Sequence, residues 1–162
     1  MTDELRITMT SAFKGLKQKI LWKWESEEMK DKPSNIKLSK WLPQESILAH
    51  PNLKLFVTHG GQSSCQEALC HKKPTVVVPI FGDQPSNAIE AERRGYGINI
   101  PFPELTTEKL SNGINRILQE PKFTQRAIGK VHDEHYYIKS DPKMPRILIS
   151  FISYRTWIFG YG

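Results

Sequence analysis

The 162-residue chain is short of several things that would narrow its role. It has two cysteines, Cys65 and Cys70, with no Cys-x-x-Cys or Cys/His ligand spacing. Neither a zinc site nor a disulfide framework follows, and both read as small buried apolar residues. No internal repeat or low-complexity tract appears, which argues against a solenoid. The opening residues contain no apolar run, so no signal peptide is read. The most apolar stretch, Ile147 to Phe159, spans thirteen residues and contains Arg155, too short and too charged to cross a bilayer.

Charge of one sign is also missing where it would matter. The net charge is +6, from 23 Lys/Arg against 17 Asp/Glu. Residues 1–40 carry nine basic against six acidic side chains, and residues 105–162 nine against five. The motif-rich middle, 41–104, holds five against six. Nucleic-acid binding needs a clustered basic face, so that class is set aside. With 38% apolar and 25% charged residues, the chain can bury a core.

Hydrophobic patterning alternates helices and strands. Leu5, Met9, Phe13, Leu16 and Ile20 predict a first helix of about fifteen residues. Lys19–Glu25 and Ile36–Trp41 read as strands, and Glu45–His50 as a short amphipathic turn. Leu53–Thr58 is a strand, Ser63–His71 a helix, and Pro74–Ile80 a β-branched strand suited to burial on both faces. A helix over Ser86–Arg94 stops at Gly95, Gly97–Ile100 is a short strand, and Thr106 or Thr107 caps a helix carrying Leu110, Ile114, Ile117 and Leu118. One or two helices follow Pro121. The fold class is α/β, a Rossmann-like doubly wound, mainly parallel sheet with helices on both faces. Ligands in such sheets sit at the carboxyl ends of the strands, a rule that puts His59–Ser64 and Phe81–Gln84 on one rim.

Three short segments carry the chemistry. In Thr58-His59-Gly60-Gly61-Gln62-Ser63-Ser64-Cys65-Gln66-Glu67, a strand runs through two glycines into a helix. Glycine lets backbone approach a ligand, and the first-turn amides favour an anion. The same residues fit a plain tight turn, with Ser64-x-x-Glu67 as a capping box. Trp41, in Trp41-Leu42-Pro43-Gln44, suits stacking on a nucleobase or ordinary core packing. Asp83 and Gln84 suit the vicinal hydroxyls of a sugar, or Asp83 a helix cap.

The order Trp-x-x-Gln, His-Gly-Gly-x-x-Ser-x-x-Glu and Pro-x-x-x-Asp-Gln, within 44 residues, resembles the donor-binding signature of the UDP-glycosyltransferases, of animal type. The resemblance covers about residues 1–152, as a partial donor-binding domain, and leaves 153–162 as a tail of uncertain structure. It implies the C-terminal half of a GT-B fold without its first, central strand, and a sheet that would leave strand edges uncovered and fold poorly by itself. It further implies that Trp41 stacks on uracil, Gln44 holds the base edge, and His59, Gly60, Gly61 and Ser64 hold the diphosphate. Glu67 would accept from the ribose hydroxyls, and Asp83 and Gln84 would grip the transferred sugar.

The implied activity is transfer of glucose or glucuronate from a UDP-sugar to a hydroxyl of a small lipophilic acceptor. The UDP-sugar is a co-substrate, with no metal and no further cofactor. The implied location is the endoplasmic reticulum membrane. The family's catalytic base belongs to a domain outside this chain, so no catalytic residue is assigned; His50, His71, His132 and His135 read as solvent-facing. The alternatives are a non-catalytic UDP- or UDP-sugar-binding fragment and, less well matched, a UDP-sugar epimerase. Lys72-Lys73 stands where the family commonly has glycine at a helix end, which predicts a residue at positive φ.

Overall fold

A computed structural model describes residues 2–26 and 28–129 and the backbone of 147–151. The predicted tail 153–162, together with His132 and His135, lies outside the described residues. In chain order the elements are α1 (Asp3–Lys14), β1 (Lys19–Lys23), β2 (Ile36–Ser39), α2 (Gln44–Ala49), β3 (Phe56–Thr58), α3 (Gln62–Cys70), β4 (Thr75–Val77), α4 (Gln84–Arg93), β5 (Gly97–Asn99), a 3-10 turn (Phe102–Glu104), α5 (Thr107–Gln119), α6 (Lys122–Ile128) and β6 (Ile147–Phe151).

All pairings are parallel, and the sheet runs β2-β1-β6-β3-β4-β5. Helices cover both faces because the strand residues alternate. Ile20, Trp22, Val57 and Val76 point to a core shared with Met9 and Phe13 of α1 and Leu110 and Ile114 of α5. Leu21 and Phe56 point the other way, against Ile47 and Leu48 of α2 and Ala68 of α3. Val77 joins them on that side, packed with Ala88 and Ala91 of α4, Tyr96 and Ala127 of α6. This confirms the doubly wound α/β reading.

Differences from the sequence reading have local causes. The first helix is shorter than expected and ends at Lys14, with Gly15 as its C-cap. Asn35 Nδ2 lies 2.9 Å from the carbonyl of Phe13 and 3.1 Å from that of Leu16, taking up acceptors that a longer helix would bond internally. Ile20 therefore belongs to β1. Cys70 is exposed rather than buried, while Cys65 is buried. His50 is also buried, with 4% exposure, not solvent-facing. It ends α2, its Nδ1 accepts the Asn52 amide at 3.1 Å, and its carbonyl accepts the Lys73 ammonium at 2.9 Å.

One difference concerns the whole sheet. In the usual doubly wound order, 3-2-1-4-5-6, the place between the second and fourth strands belongs to the first. Here β6 occupies that central place, so the slot expected to be empty is filled.

Candidate functional site

The carboxyl ends of parallel strands lie on one edge of the sheet, and the loops that leave them form the candidate site. At the end of β3, Gly60 has φ +90°, and a Cβ there would stand 2.6 Å from Val77 Cγ1 and 3.3 Å from the Gln84 carbonyl oxygen. Only glycine meets both demands. A Cβ on Gly61 would stand 2.8 Å from Nε2 of His59, so the imidazole lies directly against the second glycine. Thr58 Oγ1 accepts the Gly60 amide at 3.2 Å and tightens the turn.

Helix α3 starts at Gln62 with Gly61 as N-cap, and no side chain caps it. The amides of Gln62, Ser63 and Ser64 have no acceptor within the helix, a geometry that favours an anion at its start. The capping-box alternative does not describe this helix. Glu67 instead reaches outward to α2, where Gln44 Nε2 donates to its Oε2 at 2.9 Å. The same nitrogen lies 3.3 Å from Ser64 Oγ, joining Gln44, Ser64 and Glu67 in one cluster. Ser64 is buried, whereas Gln44 and Glu67 are partly open.

Trp41 follows β2 and is 71% exposed, so it is not a core tryptophan. Ser39 Oγ donates to its carbonyl at 2.7 Å and fixes the backbone as it leaves the strand. The chain then turns into α2, which brings Gln44 back to α3.

Beyond β4, Asp83 is the N-cap residue of α4 by position, but its side chain makes no cap bond. Its Oδ2 accepts from Asn87 Nδ2 at 2.8 Å, and the same nitrogen donates to the Gly60 carbonyl at 2.9 Å. Asn87 thus ties the Asp83 loop to the glycine turn. Sequence reading passed over it, although its place one helical turn after Asp83 was a usable signal. Gln84 is 1% exposed; its Oε1 accepts the amides of Ile80 at 2.9 Å and Phe81 at 3.2 Å. That oxygen shapes the loop from within.

Electrostatics follow the burial. Desolvation pulls the His59 pKa below its ordinary 6.5, with the Asp83 charge opposing. Desolvation first, then Asp83, pushes the Cys65 thiol up to about 11, which makes it unreactive at neutral pH.

The structure therefore brings His59, Gly60, Asp83 and Gln84 together, and Gln44, Ser64 and Glu67 together, with α3 shared between the groups. Trp41 stands on the same rim at the end of β2, three strands from β3. At about 4.8 Å per strand this is about 14 Å.

The fold is shared with solved glycosyltransferases. One, the glycosyltransferase of kitacinnamycin, superposes with a TM-score of 0.71 at 26% identity, over 80% of this chain and 34% of that one. VinC, solved with DTDP, gives a TM-score of 0.68 at 23% identity, over 74% of this chain and 31% of its own, and speaks for the fold alone. The profile of the family described as UDP-glucoronosyl and UDP-glucosyl transferase matches residues 1–136, and the chain belongs to that family. UDP-glycosyltransferase UGT5 of Dactylopius coccus is 40% identical over 124 residues, 76% of this chain and 24% of the relative. Human UDP-glucuronosyltransferase 3A2 is likewise 40% identical over 124 residues, 75% of this chain and 24% of its own length. The chain spans about a quarter of the length of these relatives. Among the described residues no helix is long and apolar enough to cross a membrane.

Proposed function

We propose that this chain is the donor-binding part of a UDP-glycosyltransferase that moves a hexosyl group, glucose or glucuronate, from a UDP-sugar to a hydroxyl of a small lipophilic acceptor. The observation that carries the reading is the rim itself. An uncapped helix start behind Gly60-Gly61 offers donors to a diphosphate, with the open Trp41 indole on one side and Asp83 on the other. Trp41 stacks on uracil, Gln44 holds the base edge, and Glu67 accepts from the ribose. His59, Gly60, Gly61 and Ser64 serve the diphosphate and Asp83 serves the sugar, while Gln84, expected beside it at the sugar, is buried against the Ile80 and Phe81 amides and holds the loop instead.

In the reaction the acceptor oxygen bonds to the anomeric carbon as the bond from that carbon to the β-phosphate oxygen breaks. The electron pair leaves with UDP, and the acceptor proton passes to a base outside this chain. Amides fixed at the start of α3 stabilise the charge that develops on the leaving diphosphate, an effect that is worth most when the donors are already oriented. Membrane attachment of the complete enzyme is part of the same reading and rests on the family resemblance alone.

Calorimetric titration of the 162-residue chain with UDP tests the donor role. Saturable one-to-one binding is expected, without release of sugar when UDP-glucose or UDP-glucuronate is added with a phenolic acceptor. A chain that shows no saturable uptake of UDP contradicts the reading. Epimerised sugar nucleotide in the absence of acceptor would favour the epimerase alternative.

A further inference from the structure

One side chain of α4 reaches both loops of the candidate donor site. Asn87 Nδ2 lies 2.9 Å from the Gly60 carbonyl oxygen and 2.8 Å from Asp83 Oδ2. A carboxamide nitrogen carries two hydrogens, so both are spent, one on each loop. We infer that Asn87 is a positioning residue: it locks the Gly60–Gly61 peptide plane so that the Gly61 N–H serves the diphosphate, and it holds the Asp83 carboxylate for the sugar, a role that rests on the proposed donor function.

The plane needs a lock because little else resists its turning over. A flip changes only ψ of Gly60 and φ of Gly61, and neither residue has a Cβ to oppose it. Gly60 stands at φ +90°, and Gly61 at φ −58° and ψ 142° where α3 begins. The planes on either side are already tied. Thr58 Oγ1 accepts the Gly60 amide at 3.2 Å, and the Gly61 carbonyl accepts the Cys65 amide at 3.0 Å. Among the described residues, the bond that holds the middle plane is the one from Asn87. In a trans peptide the C=O and the following N–H point in opposite directions. With the Gly60 carbonyl turned to α4, the Gly61 N–H faces away from α4 and is free for an anion.

The same nitrogen sets the direction of Asp83. As the N-cap residue of α4 by position, Asp83 makes no cap bond, so the helix start does not orient it. Asn87 takes Oδ2, and among the described residues Oδ1 is left for a hydroxyl. Asn87 is itself carried on a fixed element, since the buried Gln84 pins the start of α4 to the Ile80 and Phe81 amides. Diphosphate turn and sugar loop are therefore positioned by one group.

Two variants of the full chain test this. Asn87→Asp keeps the size of the side chain, removes both donors and sets a carboxylate against the Gly60 carbonyl and Asp83; Asn87→Ala only removes the donors. In the ligand-free chain, the residual dipolar coupling of the Gly61 N–H reports the direction of the plane. It should fit the structure in the unaltered chain and depart from it in Asn87→Asp, while the amides of 88–93 still fit. By calorimetry, Asn87→Ala should weaken UDP about tenfold and UDP-glucose about a hundredfold, because a hydrogen bond from the sugar to a charged group is lost as well. In an Asp83→Ala background the same change should cost both ligands about tenfold alike. Equal losses for the two ligands in both backgrounds, with a lowered melting temperature, would mark Asn87 as merely structural and overturn the inference. So would a Gly61 coupling that misfits the unaltered chain, or one unchanged in folded Asn87→Asp. An unaltered chain that takes up no UDP removes the donor function instead, and the Gly61 coupling still decides the lock.

Discussion

Single residues decide between plain and functional readings of the same motif. Glu67 is the clearest case, because a capping box and a ribose acceptor demand opposite directions of one side chain. It points across to Gln44, and α3 is left without a side-chain cap. Glu67→Ala should therefore weaken UDP binding about tenfold, the scale of a lost hydrogen bond to a charged group, with little change in melting temperature. A fall in melting temperature at unchanged affinity would return Glu67 to a structural role.

His59 allows a test through pH. Burial lowers its pKa in the folded chain below 6.5, so between the two values the unfolded chain binds more protons and stability falls as pH falls. A diphosphate beside the ring acts in the opposite sense and raises the pKa. UDP binding should then take up protons and tighten as pH drops from 8 to 6. Calorimetry in two buffers of different ionisation enthalpy reads the uptake directly, and proton release on binding would place the diphosphate elsewhere.

At the scale of elements, the strand–glycine–helix and strand–loop–helix units were legible because each depends on short-range signals. Thr106 caps α5, accepting the Lys109 amide at 3.1 Å, and Gly95, at φ +77°, follows α4 as its patterning suggested. The turn after α3 was legible too, since Lys72, in the pair expected to hold a residue at positive φ, takes φ +59°. Beside it, Lys73 donates to the carbonyls of His50 and Leu53 at 2.9 and 3.0 Å, and burial, then Lys54, lowers its pKa to about 8. Lys72→Gly removes the left-handed strain and should raise stability by about 1 kcal/mol, read by urea denaturation. Lys72→Ala should bring no such gain.

What the elements hid were the links between them. Asn87 meets Gly60 from 27 residues away, and Gln44 meets Glu67 from 23. Neither contact leaves a periodic trace in one sequence, because each depends on how α2 and α4 lie over the sheet. The inward turn of the Gln84 oxygen escaped notice for the same reason. An adjacent acid and amide look alike to a sugar-binding reading, and only the loop's own amides separate them.

At the scale of the molecule, the doubly wound class followed from strand–helix alternation, while the strand order did not. Apolar content marked Ile147 to Phe159, the stretch that opens with β6, but only as one too short and too charged to span a membrane. Nothing in its composition says that a segment so late in the chain pairs with Lys19–Trp22 and Val57 in the middle of the sheet. Parallel pairing is non-local, and its register is written in the whole sheet rather than in the strand. The consequence is a continuous platform whose rim carries Trp41, the glycine turn and Asp83 on one edge.

That common edge is most directly tested by mapping amide and indole chemical shifts of the chain as UDP is added. Binding at the rim predicts shifts at the Trp41 indole and at the amides of Gly60, Gly61, Gln62, Ser63 and Ser64, with Lys17, Lys19 and Lys54 at the opposite end of the sheet unmoved. Shifts confined to those lysines, or a Trp41 signal that ignores saturating UDP while the glycine turn responds, would contradict a single cleft for one uridine-linked ligand.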